Sequence, residues 1–236
     1  MTQVIVALDV DTIRQQEDLL VRLKDTVTFY KIGLRLFTAH GKRSVDLVHR
    51  FGGKVFLDLK FFDIPQTVAH AVHEAQKLGV EAVSLHLWGG ADMLRAATEI
   101  SPRPKLWGVT VLTSMLAKDM KFFSPRANLE TVVQNLAKMG SAHGIDGAIC
   151  SGREVPLLRA GLRRPNLKFI TPGIRPAAHD KHDQRRVLTP GDAAKLGIDF
   201  VVIGRPITQA ADPLKAAQDI LSEMRHASRH SLEVPR

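Results

Sequence analysis

Residues Asp58-Leu59-Lys60-Phe61-Phe62-Asp63-Ile64-Pro65-Gln66-Thr67 set a carboxylate and an ammonium two positions apart, directly behind an apolar run, Lys54-Val55-Phe56-Leu57. If that run is a strand, alternation puts Asp58 and Lys60 on one face at its C-terminal end. A carboxylate and an ammonium at one strand tip set each other's protonation states, which suits proton transfer or stabilisation of a carbanion. Pro65, with its fixed φ, suits the first turn of a following helix. For an isolated D-x-K, an ion pair on a rim is the simpler reading. The elements that carry the pair have to decide.

Short apolar runs recur along the whole chain, each followed by an amphipathic stretch. The pattern predicts strands at Val4–Leu8, Phe29–Ile32, Val55–Leu59, Ala82–His86, Leu106–Val111, Gly147–Cys150, Phe169–Thr171 and Phe200–Ile203. Near-continuous apolar strands fit a parallel sheet covered by helices. Helical spacing predicts helices at about 12–24, 35–50, 68–78, 90–99, 128–142, 153–160, 191–196 and 213–226. Eight such units in this length indicate an α/β protein of the (β/α)8 TIM-barrel class, whose active sites lie at the C-terminal ends of the strands. An open doubly wound sheet would carry a glycine-rich turn after its first strand, and Leu8-Asp9-Val10-Asp11-Thr12 has none. One barrel domain over 1–227 is expected, with a polar, disordered tail over 228–236. Two connections, Ser114–Arg126 and Arg175–Pro190, are long enough to act as lids or clamps.

On a barrel, the polar residues at the strand ends converge on one rim: Asp9, Lys31, Asp58 with Lys60, His86 and Thr113. The seventh strand runs into Thr171-Pro172-Gly173-Ile174-Arg175 and the eighth into Gly204-Arg205-Pro206. Loops after strands 7 and 8 are the usual phosphate site of this architecture; glycine admits close backbone approach and arginine offers a bidentate fork. Two ammonium groups among three carboxylates exceed a simple salt bridge, and an alternating network is expected. Flanking carboxylates keep Lys60 protonated, which favours an acid over a Schiff-base nucleophile. Lysine between the carboxylates also competes with Mg2+. His70 with His73, and His179 with His182, read as surface residues rather than ligands, while His86 remains open between bystander and hydrogen bonder.

Composition narrows the class further. With 44% hydrophobic and 24% charged residues, the 236-residue chain reads as an ordinary globular protein. No apolar stretch is long enough to span a bilayer, and the N-terminal residues lack a basic leader, so a cytoplasmic protein is expected. The lone Cys150 reads as a small core residue. A net charge of +9 favours an anionic partner. The basic residues are scattered, and one Tyr and two Trp give no base-stacking platform, so a phosphorylated small molecule is preferred over nucleic acid.

The combination resembles the orotidine 5′-monophosphate decarboxylase family. The motif D-x-K-x-x-D-I-P-x-T stands intact as Asp58, Lys60, Asp63, Ile64, Pro65 and Thr67. Ala7-Leu8-Asp9, Lys31-Ile32-Gly33, Leu112-Thr113-Ser114, Thr171–Arg175, Asp183-Gln184-Arg185-Arg186 and Ile203-Gly204-Arg205-Pro206 support it. The resemblance implies cofactor-free decarboxylation of orotidine 5′-monophosphate to UMP, with no metal, flavin, pyridoxal phosphate or thiamine. Lys60 would protonate the C6 carbanion, Asp58 would crowd the departing carboxylate, and Lys31 would hold the network and contact the ribose. Asp9 would bind ribose, Thr113 or Ser114 the pyrimidine, and Gln184, Gly204 and Arg205 the phosphate, with Pro172 and Arg175 close by. Asp63, Ile64 and Thr67 would serve a partner's site, implying a homodimer. A Mg2+-dependent decarboxylase or aldolase of ketose phosphates shares the strand-3 motif and is the alternative enzyme; a basic nucleic-acid or nucleotide-binding protein is the non-enzymatic one.

Overall fold

The computed structural model describes residues 2–122, 124–162, 166–176 and 188–233, the last five as backbone only. Eight parallel strands, β1 (Gln3–Ala7), β2 (Phe29–Gly33), β3 (Lys54–Phe61), β4 (Ala82–His86), β5 (Lys105–Val109), β6 (Gly147–Ile149), β7 (Lys168–Pro172) and β8 (Phe200–Ile203), form a closed barrel in chain order. The last strand closes on the first through Gln3↔Phe200 to Val6↔Ile203. All eight strands lie within a few residues of where the apolar runs predict them.

The helices around them are α1 (Ile13–Leu23), α2 (Leu34–His40), α3 (Lys42–Arg50), α4 (Pro65–Lys77), α5 (Gly90–Thr98), α6 (Ala117–Met120), α7 (Leu129–Ala142), α8 (Val155–Gly161), α9 (Pro190–Lys195), α10 (Arg205–Thr208) and α11 (Pro213–Glu233). Local chemistry sets their ends. The Thr12 hydroxyl accepts from Gln15 N–H, while the Gln15 side chain accepts from Thr12 N–H, so two orphan donors at the start of α1 are met reciprocally. Pro65 opens α4.

Three expectations need correction. The single helix over 35–50 is two, because Gly41 takes φ +52°, a conformation that breaks the helix at little cost only for glycine. The Ser114–Arg126 connection is not wholly irregular: α6 seals it against the core through Met120. The tail expected from residue 228 begins inside α11, whose backbone stays helical to Glu233; Ala227 packs on the core and the Ser228 hydroxyl bonds the Met224 carbonyl at 3.0 Å.

Two apolar layers result from strand alternation. Outward residues such as Val6, Ile32, Val55, Val83 and Ile203 meet the helices. Inward residues fill the barrel, and at its lower end these are rings. Trp107 lies 4.5 Å from Phe56, 5.1 Å from Phe200 and 6.0 Å from Phe29 between ring centroids. This plug closes the bottom and leaves the top of the bore open.

Candidate active site

The open end is a cavity of about 480 Å³. Its floor is apolar, made by Ala7, Phe56, Val109, Ile149, Ile170 and Val202. Charged groups ring one wall in alternating sign. Asp9 Oδ1 lies 2.9 Å from Lys31 Nζ, Lys31 Nζ 3.7 Å from Asp58 Oδ2, and Asp58 Oδ1 2.9 Å from Lys60 Nζ. Lys31 and Asp58 are nearly buried, Lys60 is 30% exposed and Asp9 about half exposed. Burying two such ions is costly unless opposite charges surround them, and here each interior ion has an opposite charge on both sides.

That arrangement fixes protonation. Burial alone would push the Asp58 carboxyl up, but Lys31 and Lys60, with hydrogen bonds from Lys60 and Ser84, hold it below the usual carboxylate range. For Lys31, burial opposes the charged form, yet Asp58 and Asp9 prevail and raise its pKa. Both therefore stay ionised through neutral pH. Gly33 makes room for this wall: a Cβ there would stand 2.6 Å from Lys31 Nζ and 3.2 Å from Asp9 Oδ1.

The residues after β7 and β8 continue the rim beyond Asp9, because β8 pairs with β1. Pro172, Gly173, Arg175, Gly204 and Arg205 line the cavity, as do Thr113 and Ser114 beyond β5. Gly173 sits at φ +77°, a conformation that disfavours any side chain. Arg175 is buried, its Nη1 donating to the Ile174 carbonyl at 2.9 Å, and its N–H pairs with the Leu188 carbonyl at 3.0 Å beside the Ile174↔Leu188 bridge.

A barrel with this rim has known counterparts. The family model "Orotidine 5'-phosphate decarboxylase / HUMPS family" matches residues 2–220. The chain belongs to this family. It is 44% identical over 230 residues to orotidine 5'-phosphate decarboxylase of Saccharophagus degradans, covering 96% of each chain. Identity to the enzyme of that name from Geobacter sulfurreducens is 42%, covering 94% of this chain and 95% of the relative. The crystal structure of orotidine 5'-phosphate decarboxylase from Lactobacillus acidophilus superposes with a TM-score of 0.82 at 35% identity, covering 95% of this chain and 99% of that one. A Pyrococcus horikoshii structure at 24% identity, with a TM-score of 0.78 over 94% of this chain and 99% of that one, shows the same fold.

Within the family motif, the residues divide sharply. Asp58 and Lys60 face their own cavity. Asp63, Ile64 and Thr67 do not line it; they stand exposed on the turn into α4, where the Asp63 carboxylate accepts from Ile64 N–H at 2.6 Å. Ile64 and its neighbour Phe62 are exposed apolar groups, 67% and 61% accessible, as are Leu34 after β2 and Trp88 after β4, 57% and 41%. Gln184, with Asp183, Arg185, Arg186, His179 and His182, lies outside the described residues. The His86 ring packs on Phe62 at 5.7 Å, and burial, then the Lys60 charge, lowers its pKa.

Three polar residues at the site escaped the sequence reading. Arg35 and Gln209 line the cavity; the Arg35 guanidinium pairs with the Asp11 carboxylate and reaches the Asp9 carbonyl at 3.4 Å. Arg35 could have been found as a cation in the first turn after a rim strand. Ser84 lies behind Asp58 and Lys60, fully buried. Its signal was a lone hydroxyl inside the apolar run Ala82-Val83-Ser84-Leu85. Among the described residues, no group of three or more His, Cys, Asp or Glu is placed to hold a metal ion.

Proposed function

We propose that this chain decarboxylates orotidine 5′-monophosphate to UMP and CO2, in de novo pyrimidine biosynthesis, without a cofactor. Family membership supports the reaction. The observation that carries the mechanism is the Lys60 ammonium, 2.9 Å from an Asp58 carboxylate that two cations keep ionised, at the mouth of an apolar-floored cavity.

In this reading the C6–carboxylate bond breaks, the electron pair stays on C6, and CO2 leaves. Lys60 supplies the positive charge that meets this pair and then transfers a proton from Nζ to C6. Asp58, fixed and negative, disfavours the ground-state carboxylate beside it. Its repulsion falls as CO2 becomes neutral, so the interaction is differential and lowers the barrier. Lys31 bridges Asp9 and Asp58, holding the charged network together, and meets the ribose with Asp9. Thr113 or its neighbour Ser114 takes the pyrimidine edge. Gly204 and Arg205, with Pro172, Arg175 and Gln184 nearby, take the phosphate, whose remote binding energy helps to order the reacting end. The cavity volume suits a nucleotide.

The same reading makes the enzyme a homodimer with shared sites. Support comes from Asp63, Ile64 and Thr67, exposed and not lining their own cavity, with Phe62 and Ile64 presenting apolar surface on the same segment. Two inactive variants, Lys60→Ala and Asp63→Ala, should regain activity when co-expressed, because some mixed dimers contain one intact site. Failure to regain any would remove the shared-site part.

The primary test is loss of ultraviolet absorbance from orotidine 5′-monophosphate in the presence of EDTA. Rapid loss is expected. No loss under any condition would sink the proposal, and loss only after adding Mg2+ would favour the metal-dependent alternative.

A further inference from the structure

Strand β3 is irregular where its chemistry begins. Leu57 pairs with Val83 and Phe61 with Leu85, so four steps along β3 match two along β4. The excess residues form a bulge, and within it Lys60 takes φ +52°, the one positive value among the described non-glycine residues. A bulge removes backbone groups from the ladder, and a buried N–H left over must find another acceptor. Ser84 provides it: Lys60 N–H donates to Ser84 Oγ at 2.8 Å.

The same hydroxyl donates to Asp58 Oδ1 at 2.8 Å, and Asp58 Oδ1 also accepts from Lys60 Nζ at 2.9 Å. The directions are forced, because the backbone N–H can only donate and the carboxylate only accept. Ser84 uses its single proton on Asp58 and a lone pair on Lys60. The result is a closed loop that grips Lys60 at both ends, its backbone directly and its ammonium through Asp58. Each bond polarises the next in this buried setting. β4 holds the serine itself in register with Trp107 of β5.

We propose that Ser84 is a positioning residue of the active site, fixing the left-handed turn at Lys60 and the Asp58–Lys60 geometry in one contact. The role rests on the decarboxylase reading above. A hydroxyl that merely satisfied the bulge would contribute to stability and leave turnover of the folded enzyme unchanged. A positioning hydroxyl acts on kcat, since small displacements of reacting groups weaken the chemical step more than binding.

The test is Ser84→Ala beside Ser84→Cys, which keeps nearly the same volume but offers only a weak donor and acceptor. Steady-state turnover of orotidine 5′-monophosphate is measured per folded molecule, with the folded fraction taken from circular dichroism and UMP affinity from calorimetry. For both variants kcat should fall on the order of 10- to 100-fold, while KM and UMP affinity stay within about threefold of wild type. If the alanine variant does not fold, the cysteine variant decides. Wild-type kcat in either folded variant, or a loss confined to KM, overturns the role. Absence of turnover in the wild-type protein overturns the decarboxylase reading and this role together; wild-type turnover with unimpaired variants overturns this role alone.

Discussion

The bore of this barrel has two ends built by the same eight strands and filled by opposite chemistry. Below, Phe29, Phe56, Trp107 and Phe200 pack ring on ring. Above, Asp9, Lys31, Asp58 and Lys60 alternate in charge around open space. A single step of two residues along β3 leads from Phe56 to Asp58, and along β2 from Phe29 to Lys31. Stability is concentrated where the interior is dry and full, and reactivity where desolvated ions are held in place by one another. Substitutions at the two ends should therefore fail in different ways.

The sharpest contrast comes from Lys60→Ala. Removing both the charge and the proton donor should lower kcat by at least about 1,000-fold, with the thermal midpoint shifted by only a few degrees, since Lys60 stands at the rim. Substantial residual turnover would end its assignment as the acid. At the other end, Trp107→Ala should lower unfolding free energy by about 3–5 kcal/mol through the cavity it leaves. The molecules that remain folded should keep KM near wild type. A large KM change there would mean the two ends are not separable. Gly33→Ala tests how tightly the upper end is packed. Its Cβ would displace the Lys31 ammonium, and a kcat loss on the order of tenfold is expected, measured with thermal melts to exclude unfolding.

The smallest effects concern pH. Asp58 has a lowered pKa, so its ionised contribution to stability is present above 3.8 and is lost as pH falls through the lower folded value. For Lys31, raised by its carboxylates, the contribution is present below 10.5 and lost only as pH rises through the higher folded value. Neither group produces an inflection near neutrality. His86 has a depressed pKa, so the unfolded chain binds a proton there more readily than the folded one, and stability declines modestly as pH falls below 6.5. An NMR titration should place the His86 midpoint below 6.5; a midpoint above it would refute the burial and Lys60 repulsion that lower it.

The lower end was legible in the sequence because alternation in apolar strands is a strong signal: Phe56, Trp107 and Val202 sit where period two puts them. The upper end was legible in composition but not in its mechanics. Asp58 and Lys60 meet, yet not through the regular i, i+2 alternation that suggested it, because β3 bulges between them and its ladder partner. The bulge has no signature in the apolar pattern, so Ser84, which closes it, read as one small residue in a buried strand. Arg35 and Gln209 were missed for a different reason: they come from helix ends whose approach to the rim depends on packing. Gly41 was overlooked because apolar spacing continues across it from α2 into α3.

The left-handed backbone at Lys60 sets stability against activity at a single position. A side chain in that conformation costs about 1–3 kcal/mol, and glycine alone avoids the cost. Lys60→Gly should therefore unfold at a higher temperature than Lys60→Ala, and the gap between the two measures how much the fold gives up to keep a lysine there. Selection for thermal stability alone would erode this residue first. The protein retains it against that gradient, and any stabilised variant of this barrel should be screened for drift at position 60 before its melting temperature is taken as an improvement.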